Sequence, residues 1–328
     1  MTMKKLNWGL LGTARINRAL FLPLRTSSRN RLLAVASRDH ARAEEYARKF
    51  SIPRAYGSYE ALLADPEIDV IYNPLPNHLH ASWTIKAMEA GKHVLCEKPF
   101  VLSVEEVDAV AAAANRTGKV AAEAFMYRFH EQTRKVKEIV ERGDLGKVQV
   151  IRGAFRYWHD HAGDYRLDPA MGGGGLWDVG CYLVSYARLV AGEEPAEVFG
   201  WQVSGPTGVD VSFTGQMRFP GGIHAVFDVG MNSKYHSFLD IVGSEAVLHI
   251  PHPFVPLPLE RIFLQGGGRK KTIYIRGPYL YNGEVEDMAD AALLGKPPHI
   301  SLADTRANIA ALVALLESAK TGKPVSLQ

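Results

Sequence analysis

Two periodicities divide the chain. Over the first 125 residues, short apolar runs alternate with segments whose apolar positions recur at helical spacing. LNWGLLG (6–12), RLLAVASRD (31–39), IDVIYNPLP (68–76), HVLCEK (93–98) and KVAAEAFMY (119–127) read as five buried strands. Between them, TARINRALFLPLRTS carries a helical pattern, with Pro23 as a break or late turn. ARAEEYARKF (41–50) gathers Ala, Tyr and Phe on one side, and SYEALLAD (58–65) is a short helix ended by Asp65-Pro66. HASWTIKAMEAG (80–91) closes on Gly91. SVEEVDAVAAAANRTG (103–118) opens on Ser103 as N-cap, with Glu106 completing a capping box. Regular strand–helix alternation predicts a parallel, doubly wound sheet.

Beyond residue 125 that rhythm stops. VKEIVERGDLGKV (136–148) is a helix, a turn and the start of a strand. Strand-like alternation follows at 149–159, 196–204, 209–220, 222–232, 236–245, 246–251 and 270–277. Consecutive strands on short turns predict a large, mostly antiparallel sheet. One face packs on the core, and the other is open to helices or a partner subunit. EVEDMADAALLG and ADTRANIAALVALLESAKTG close the chain as helices. The fold class expected is α/β, with a dinucleotide-binding Rossmann domain over 1–125 and an α+β domain over 126–328 for substrate binding and oligomerisation.

Bulk properties narrow the function classes. A length of 328 residues suits about two domains. With 47% hydrophobic and 22% charged residues, the chain is ordinary globular material. A net charge of +3 gives no reason to invoke nucleic acid or membrane. Two cysteines, Cys96 and Cys181, both in apolar contexts, make no disulfide framework and point to a reducing, cytoplasmic setting. The start lacks a secretory h-region, and no apolar run is long enough to span a membrane.

The candidate chemistry lies at the ends of the predicted strands. Gly12-Thr13-Ala14-Arg15-Ile16-Asn17 follows the first strand, where a phosphate-binding loop belongs. It keeps the first glycine of G-x-G-x-x-G. Ala14 is small enough to leave the pyrophosphate approach open, while Asn17 implies looser packing or a polar contact. The second strand ends Ser37-Arg38-Asp39. Ser37 and Arg38 suit a 2′-phosphate, so NADP(H) is preferred and NAD remains possible; an inward Asp39 would oppose this. The fourth strand ends Glu97-Lys98-Pro99, which delivers two ionisable groups to the rim where open α/β sheets bind ligands. In MGGGGLWDVGCYLVSYARLVAG (171–192) four glycines lead into a helix. Asp178 and Tyr182 stand one turn apart on it, around Gly180. They form either a site or a helix cap and a core aromatic. No metal-ligand spacing appears among the scattered histidines.

GLLGTARI, CEKP and GGGGLWDVGCY, in that order, resemble the Gfo/Idh/MocA oxidoreductases over essentially the whole chain. YRLDPAMGGGGLWDVGCY and AGEEPAEV resemble the branch holding glucose–fructose oxidoreductase, NADP-dependent aldose (xylose) dehydrogenases and dimeric dihydrodiol dehydrogenase. The resemblance implies hydride transfer between a nicotinamide and the carbinol or carbonyl carbon of a sugar-like substrate, with aldose oxidation at C1 favoured. The alternatives are a reductase of a keto-sugar or dicarbonyl, and a non-catalytic dinucleotide sensor. Carried over by position, Lys98 contacts the substrate oxygen, Asp178 holds substrate and Lys98, and Tyr182 is the general acid/base. Gly12, Thr13, Ala14, Arg15, Ile16, Ser37, Arg38, Leu75, Pro76, Asn77, His80, Glu97, Lys98, Arg128 and Arg166 are implied at the cofactor. Tyr127, Arg156, Tyr157 and His159 are implied at the substrate, with Lys98, Asp178 and Tyr182. WHDHAGDY (158–165) is either a sugar-binding cluster or a mobile loop. The free sheet face implies a homodimer or homotetramer.

Overall fold

The computed structural model describes residues 5–327. Contacts divide the chain into two units: one runs to Met126 and also takes Tyr281–Arg306, and the other holds Tyr127–Leu280 and the remainder. The sequence expectation assigned everything past 125 to one domain, so the return of 281–306 to the first unit is a difference.

In the first unit, β1 (Leu6–Leu11), β2 (Asn30–Ala36), β3 (Arg54–Tyr56), β4 (Val70–Asn73), β5 (His93–Glu97) and β6 (Ala121–Ala124) form one sheet in the order β3-β2-β1-β4-β5-β6. Every pairing in it is parallel. The helices α1 (Asn17–Thr26), α2 (His40–Phe50), α3 (Tyr59–Ala64), α4 (His80–Glu89) and α5 (Val104–Thr117) connect the strands. β1 lies at the centre because all six of its residues are buried, as a strand covered on both faces must be. The Trp8 indole Nε1 donates to Asn30 Oδ1 at 2.8 Å, which satisfies its one polar atom in the core. Pro23 sits inside α1 and does not break it. Ser103 caps α5 by accepting the Glu106 N–H, and Glu106 accepts the N–H of Leu102 rather than of the cap itself.

α8 (Asn282–Leu294) explains the division of the chain. Its Val285, Met288 and Ala289 enter the same apolar cluster as Leu6, Trp8 and Leu20. Each large apolar side chain so buried contributes about 1.5–3 kcal/mol. Arg29 adds ion pairs to Glu286 and Asp290.

In the second unit, α6 (Glu131–Glu141), β7 (Val148–Trp158) and α7 (Cys181–Ala191) precede β8 (Glu197–Ser204), β9 (Asp210–Arg218), β10 (His224–Gly230), β11 (Asn232–Gly243), β12 (Ala246–Ile250), β13 (Leu259–Gly266) and β14 (Arg269–Arg276). α9 (Leu302–Thr321) and β15 (Val325–Ser326) end the chain. The nine strands run β14-β13-β12-β11-β7-β10-β9-β8-β15, antiparallel except for β7 beside β10. One sheet face packs its Phe155, Phe213 and Val229 into the core. The opposite face carries Trp158, Trp201, Leu259 and Tyr274, all exposed. Among the described residues no helix is long and apolar enough to cross a membrane.

Candidate active site

In the first unit, the β1–α1 turn pivots on Gly12, whose φ of +84° suits glycine. A Cβ there would stand 3.4 Å from Leu75 Cδ2, so the loop after β4 touches the phosphate loop. Asn17, in place of the motif's third glycine, is fully buried and donates to Gly12 O at 2.9 Å. It makes a polar contact, one of the two readings its presence allowed. The Tyr46 hydroxyl donates to Ala14 O at 3.2 Å. Thr13, Arg15, Arg18, Arg42, Glu45, Tyr46 and Lys49 line an open cavity of ≈ 290 Å³ beside this loop. Ile16 ends the loop as the α1 N-cap, with no side-chain cap.

The end of β2 is cationic. Asp39 faces α2: its carboxylate caps the helix by accepting the Arg42 N–H. Arg42 Nε in turn donates to Thr13 Oγ1 at 2.9 Å, clasping the two loops together. Arg38 lies within electrostatic reach of the Tyr59 hydroxyl. Burial raises the Tyr59 pKa, and Arg38 with Arg42 works against that rise. Ser37 is buried, and its Oγ accepts the Asp39 N–H.

At the end of β5, Glu97 accepts from the Tyr72 hydroxyl and, through Oε2, from the Lys98 N–H at 3.3 Å. The Lys98–Pro99 peptide is cis. His80, fully buried, sets its two ring nitrogens against Pro99 O (2.8 Å) and Leu75 O (2.6 Å). Two carbonyl partners would suit an imidazolium, yet burial pulls the His80 pKa down to about 4. The neutral ring therefore donates to one carbonyl only. His80 ties the EKP turn to the loop after β4; Pro76 and the buried Asn77 lie in that loop, at the start of a short 3-10 turn.

In the second unit, Asp178 is the centre. It is 7% exposed and lies in a π-helical turn, Leu176–Gly180, that leads into α7. The Tyr157 hydroxyl donates to its Oδ2, and Arg166 Nε lies 3.2 Å from its Oδ1. Burial raises the Tyr157 pKa, and the Asp178 charge and hydrogen bond raise it further. Tyr157 therefore keeps its proton and serves as a donor. Burial alone would lower the Arg166 pKa, but Asp178 and its other neighbours hold it above the ordinary value. Tyr182, on α7, is 5% exposed, with its ring 5.6 Å from Phe155, 5.7 Å from Phe254 and 5.8 Å from Tyr127. His159 lies edge-on to Tyr157 and 3.7 Å from Asp164.

Comparison with known proteins interprets this geometry. Residues 6–125 match the model of an oxidoreductase family with an NAD-binding Rossmann fold, and residues 133–249 match the GFO/IDH/MocA C-terminal domain. The chain is 36% identical to D-xylose 1-dehydrogenase (NADP(+)) 2 of Haloferax volcanii, over 98% of this chain and 99% of the relative. The chain belongs to the Gfo/Idh/MocA family of oxidoreductases. Trans-1,2-dihydrobenzene-1,2-diol dehydrogenase of Bos taurus is 32% identical, over 76% of this chain and 75% of the relative. The structure of KijD10, a 3-ketoreductase from Actinomadura kijaniata, with NADP and TDP-benzene superposes with a TM-score of 0.91. It is 26% identical and spans 96% of this chain and 98% of that one.

Against the family positions, four sequence expectations change. His80 is not a cofactor contact, because its ring is enclosed and engaged with two backbone carbonyls. Tyr127 is fully buried, stacked on Tyr186 with its hydroxyl donating to Ser185 Oγ at 2.8 Å, so it supports the core and does not touch substrate. Arg156 alternates with Tyr157 along β7 and falls on the other sheet face. There it pairs with Asp228 and donates to Ser212, Asn232 and Ser233. Arg128 is 9% exposed and donates to the same Ser185 Oγ as Tyr127, at 3.3 Å, within the second unit's core. Two residues were missed. Arg42 sits on helix α2 and reads as a surface charge until Asp39 caps that helix and turns it toward Thr13. Tyr59, at the start of α3, lies within electrostatic reach of Arg38.

Proposed function

We propose that this family member is an NADP(H)-preferring dehydrogenase that oxidises a sugar-like carbinol, an aldose at C1 in the simplest case. The observation that carries the cofactor preference is the role of Asp39. As a helix cap it leaves Arg38 and Arg42, not a carboxylate, at the end of β2, and these suit a 2′-phosphate. Gly12 to Ile16 would hold the pyrophosphate, Ser37 the 2′-phosphate, and Leu75, Pro76, Asn77 and Glu97 the nicotinamide end. When bound, the nicotinamide takes up or returns the hydride. Everything else falls to side chains. Tyr182, as the phenolate, takes the proton of the substrate hydroxyl as hydride leaves the carbon bearing that hydroxyl. Lys98 stabilises negative charge on that oxygen. Asp178, fixed by Tyr157 and Arg166, orients the substrate hydroxyls, with His159 alongside.

The xylose dehydrogenase relative supports the oxidative direction, and the 3-ketoreductase relative supports a second reading, reduction of a keto-sugar on the same residues. The exposed aromatic and apolar side chains on the open sheet face support self-association into a homodimer or homotetramer. Cys96 and Cys181, buried free thiols, support a cytoplasmic setting. The test is absorbance at 340 nm with NADP⁺ or NAD⁺ and a panel of aldoses, beside Lys98→Ala and Tyr182→Phe. Turnover of an aldose that both variants lose is expected. Wild-type rates in both variants would refute the Lys98 and Tyr182 roles.

A further inference from the structure

We propose that Asp210, which nothing in the family resemblance singles out, is the positioning residue of the second unit's site: its carboxylate fixes the turn that presents Asp178 to Tyr157 and Arg166. The inference rests on the assignment of Asp178 to the site. Asp210 is the first residue of β9 and is 5% exposed. Its Oδ2 accepts the Leu176 N–H at 2.7 Å, and the Gly175 N–H lies close enough to its carboxylate to stabilise the charge. The glycine run is shaped around it. At Gly174, with φ of +122°, a Cβ would stand 2.1 Å from Asp210 Oδ1, and at Gly175 3.3 Å from Oδ2. At Gly173 it would stand 2.5 Å from Arg166 O. The glycines thus admit a carboxylate on one side and the Arg166 backbone on the other.

The same few residues connect to everything Asp178 needs. Gly174 N–H donates to Arg166 O at 2.9 Å, and Asp178 N–H donates to Gly174 O at 3.0 Å. Arg166 then reaches Asp178 Oδ1 with its guanidinium. Removing the Asp210 grip therefore frees the backbone of both partners in the Arg166–Asp178 pair. Misplacement of a substrate-holding group by about 1 Å is enough to cost about 100-fold in rate.

The grip depends on charge. An ionised carboxylate accepts the Leu176 N–H and faces that of Gly175, whereas a protonated one turns an oxygen into a donor facing donors. Burial pushes the Asp210 pKa up to about 7; the Leu176 and Gly175 N–H groups oppose that rise and the Asp178 charge adds to it. The turn it grips also packs, at Gly173, against the backbone of Arg166 and Asp168. Beyond Gly230 lies Arg156 on β7, whose guanidinium is engaged by Asp228 and neighbouring hydroxyls. Turnover should therefore fall as pH drops through that region.

The experiment compares the full-length wild type with Asp210→Asn and Gly174→Ala, and with Lys98→Ala and Asp178→Asn as controls. Steady-state oxidation of D-xylose by NADP⁺ is measured across pH, and amide hydrogen exchange is measured on peptides spanning 171–180. Asp210→Asn is expected to lower kcat by about 100-fold. It should leave the KM for NADP⁺ unchanged, remove the acid limb of the kcat profile, and lose exchange protection only in that segment. Gly174→Ala, which attacks the contact from the other side, should share the lost protection. Wild-type kcat with an intact acid limb in Asp210→Asn would overturn the inference, as would unchanged protection at 171–180. If instead the two control variants keep wild-type turnover, the site assignment itself fails. The exchange measurement still judges Asp210 in that case.

Discussion

Replacing Arg42 by alanine tests the cofactor assignment most directly. Its guanidinium is held at 2.9 Å from Thr13 Oγ1, so little side-chain freedom remains to be lost when a phosphate arrives. Charge-assisted hydrogen bonds contribute about 1.5–3 kcal/mol each. Arg42 is exposed, which argues for the lower end through solvent screening. About 1.5 kcal/mol is roughly a tenfold change in affinity. The loss should fall on NADPH and spare NADH, because only the former carries the 2′-phosphate. Arg38→Ala should behave alike, and the double variant should approach equal affinity for the two cofactors. Equilibrium titration of each variant with NADPH and NADH, following nicotinamide fluorescence at two salt concentrations, gives the four affinities needed. The NADPH penalty should shrink at high salt. Equal loss for both cofactors, or no loss for either, would refute the 2′-phosphate assignment.

Other consequences are equally direct. Tyr157→Phe removes the hydroxyl donor to Asp178 while keeping the ring, and should lower kcat for the aldose by about tenfold or more, through a lost hydrogen bond to a charged group. An unchanged kcat in stopped-flow and steady-state assays would show that the placement of Asp178 does not depend on the Tyr157 hydroxyl. Glu284 is 1% exposed, and among the described residues neither carboxylate oxygen has a hydrogen-bond partner; burial first, then the Glu97 charge, raises its pKa well above the ordinary value. A raised folded pKa means the folded state keeps a proton that the unfolded chain releases. Stability is then full below the unfolded pKa and falls by about 1.4 kcal/mol per pH unit as pH rises toward the folded one. Glu284→Gln should abolish that slope, so urea midpoints of variant and wild type diverge from pH 5 to pH 8, with the variant ahead. A constant difference across pH would contradict it.

Much of the fold is written in periodicity. The five runs read as parallel strands all form, each shortened at its C-terminal end, because the ladder stops where the chain leaves the sheet to build the rim. β3 escapes notice because Arg54-Ala55-Tyr56 is neither an apolar run nor alternating. It becomes a strand because β2 offers an unpaired edge. α8 shows an apolar face, yet a face does not declare its partner, and its Val285 and Met288 belong to the first unit's core. The π-turn is invisible for a different reason: Asp178 and Tyr182 stand four apart in either geometry, and only the Cys181 N–H bonding back to Leu176 O reveals the extra residue. Gly180 makes room for Leu176 Cδ1, which a Cβ would approach to 2.6 Å.

Residue type alone could not sort the site, since ligand-binding and positioning residues are drawn from the same polar set. What separates them is where their hydrogen bonds go. Asp39 reads as a ribose ligand until its carboxylate is seen on the Arg42 N–H. Tyr127, His80 and Arg156 read as contacts until Ser185, two backbone carbonyls and Asp228 are found to engage them. Tyr157 donates its hydroxyl to Asp178. Asp210 went unremarked because an acid at the start of a strand resembles any turn residue, while four glycines read only as the lead into a helix. In the folded chain the two are halves of one device: glycines leave the space and the carboxylate fills it. Such a device stands apart from the groups proposed to touch the substrate. Residues facing the substrate can then change while the turn that aims Asp178 stays fixed.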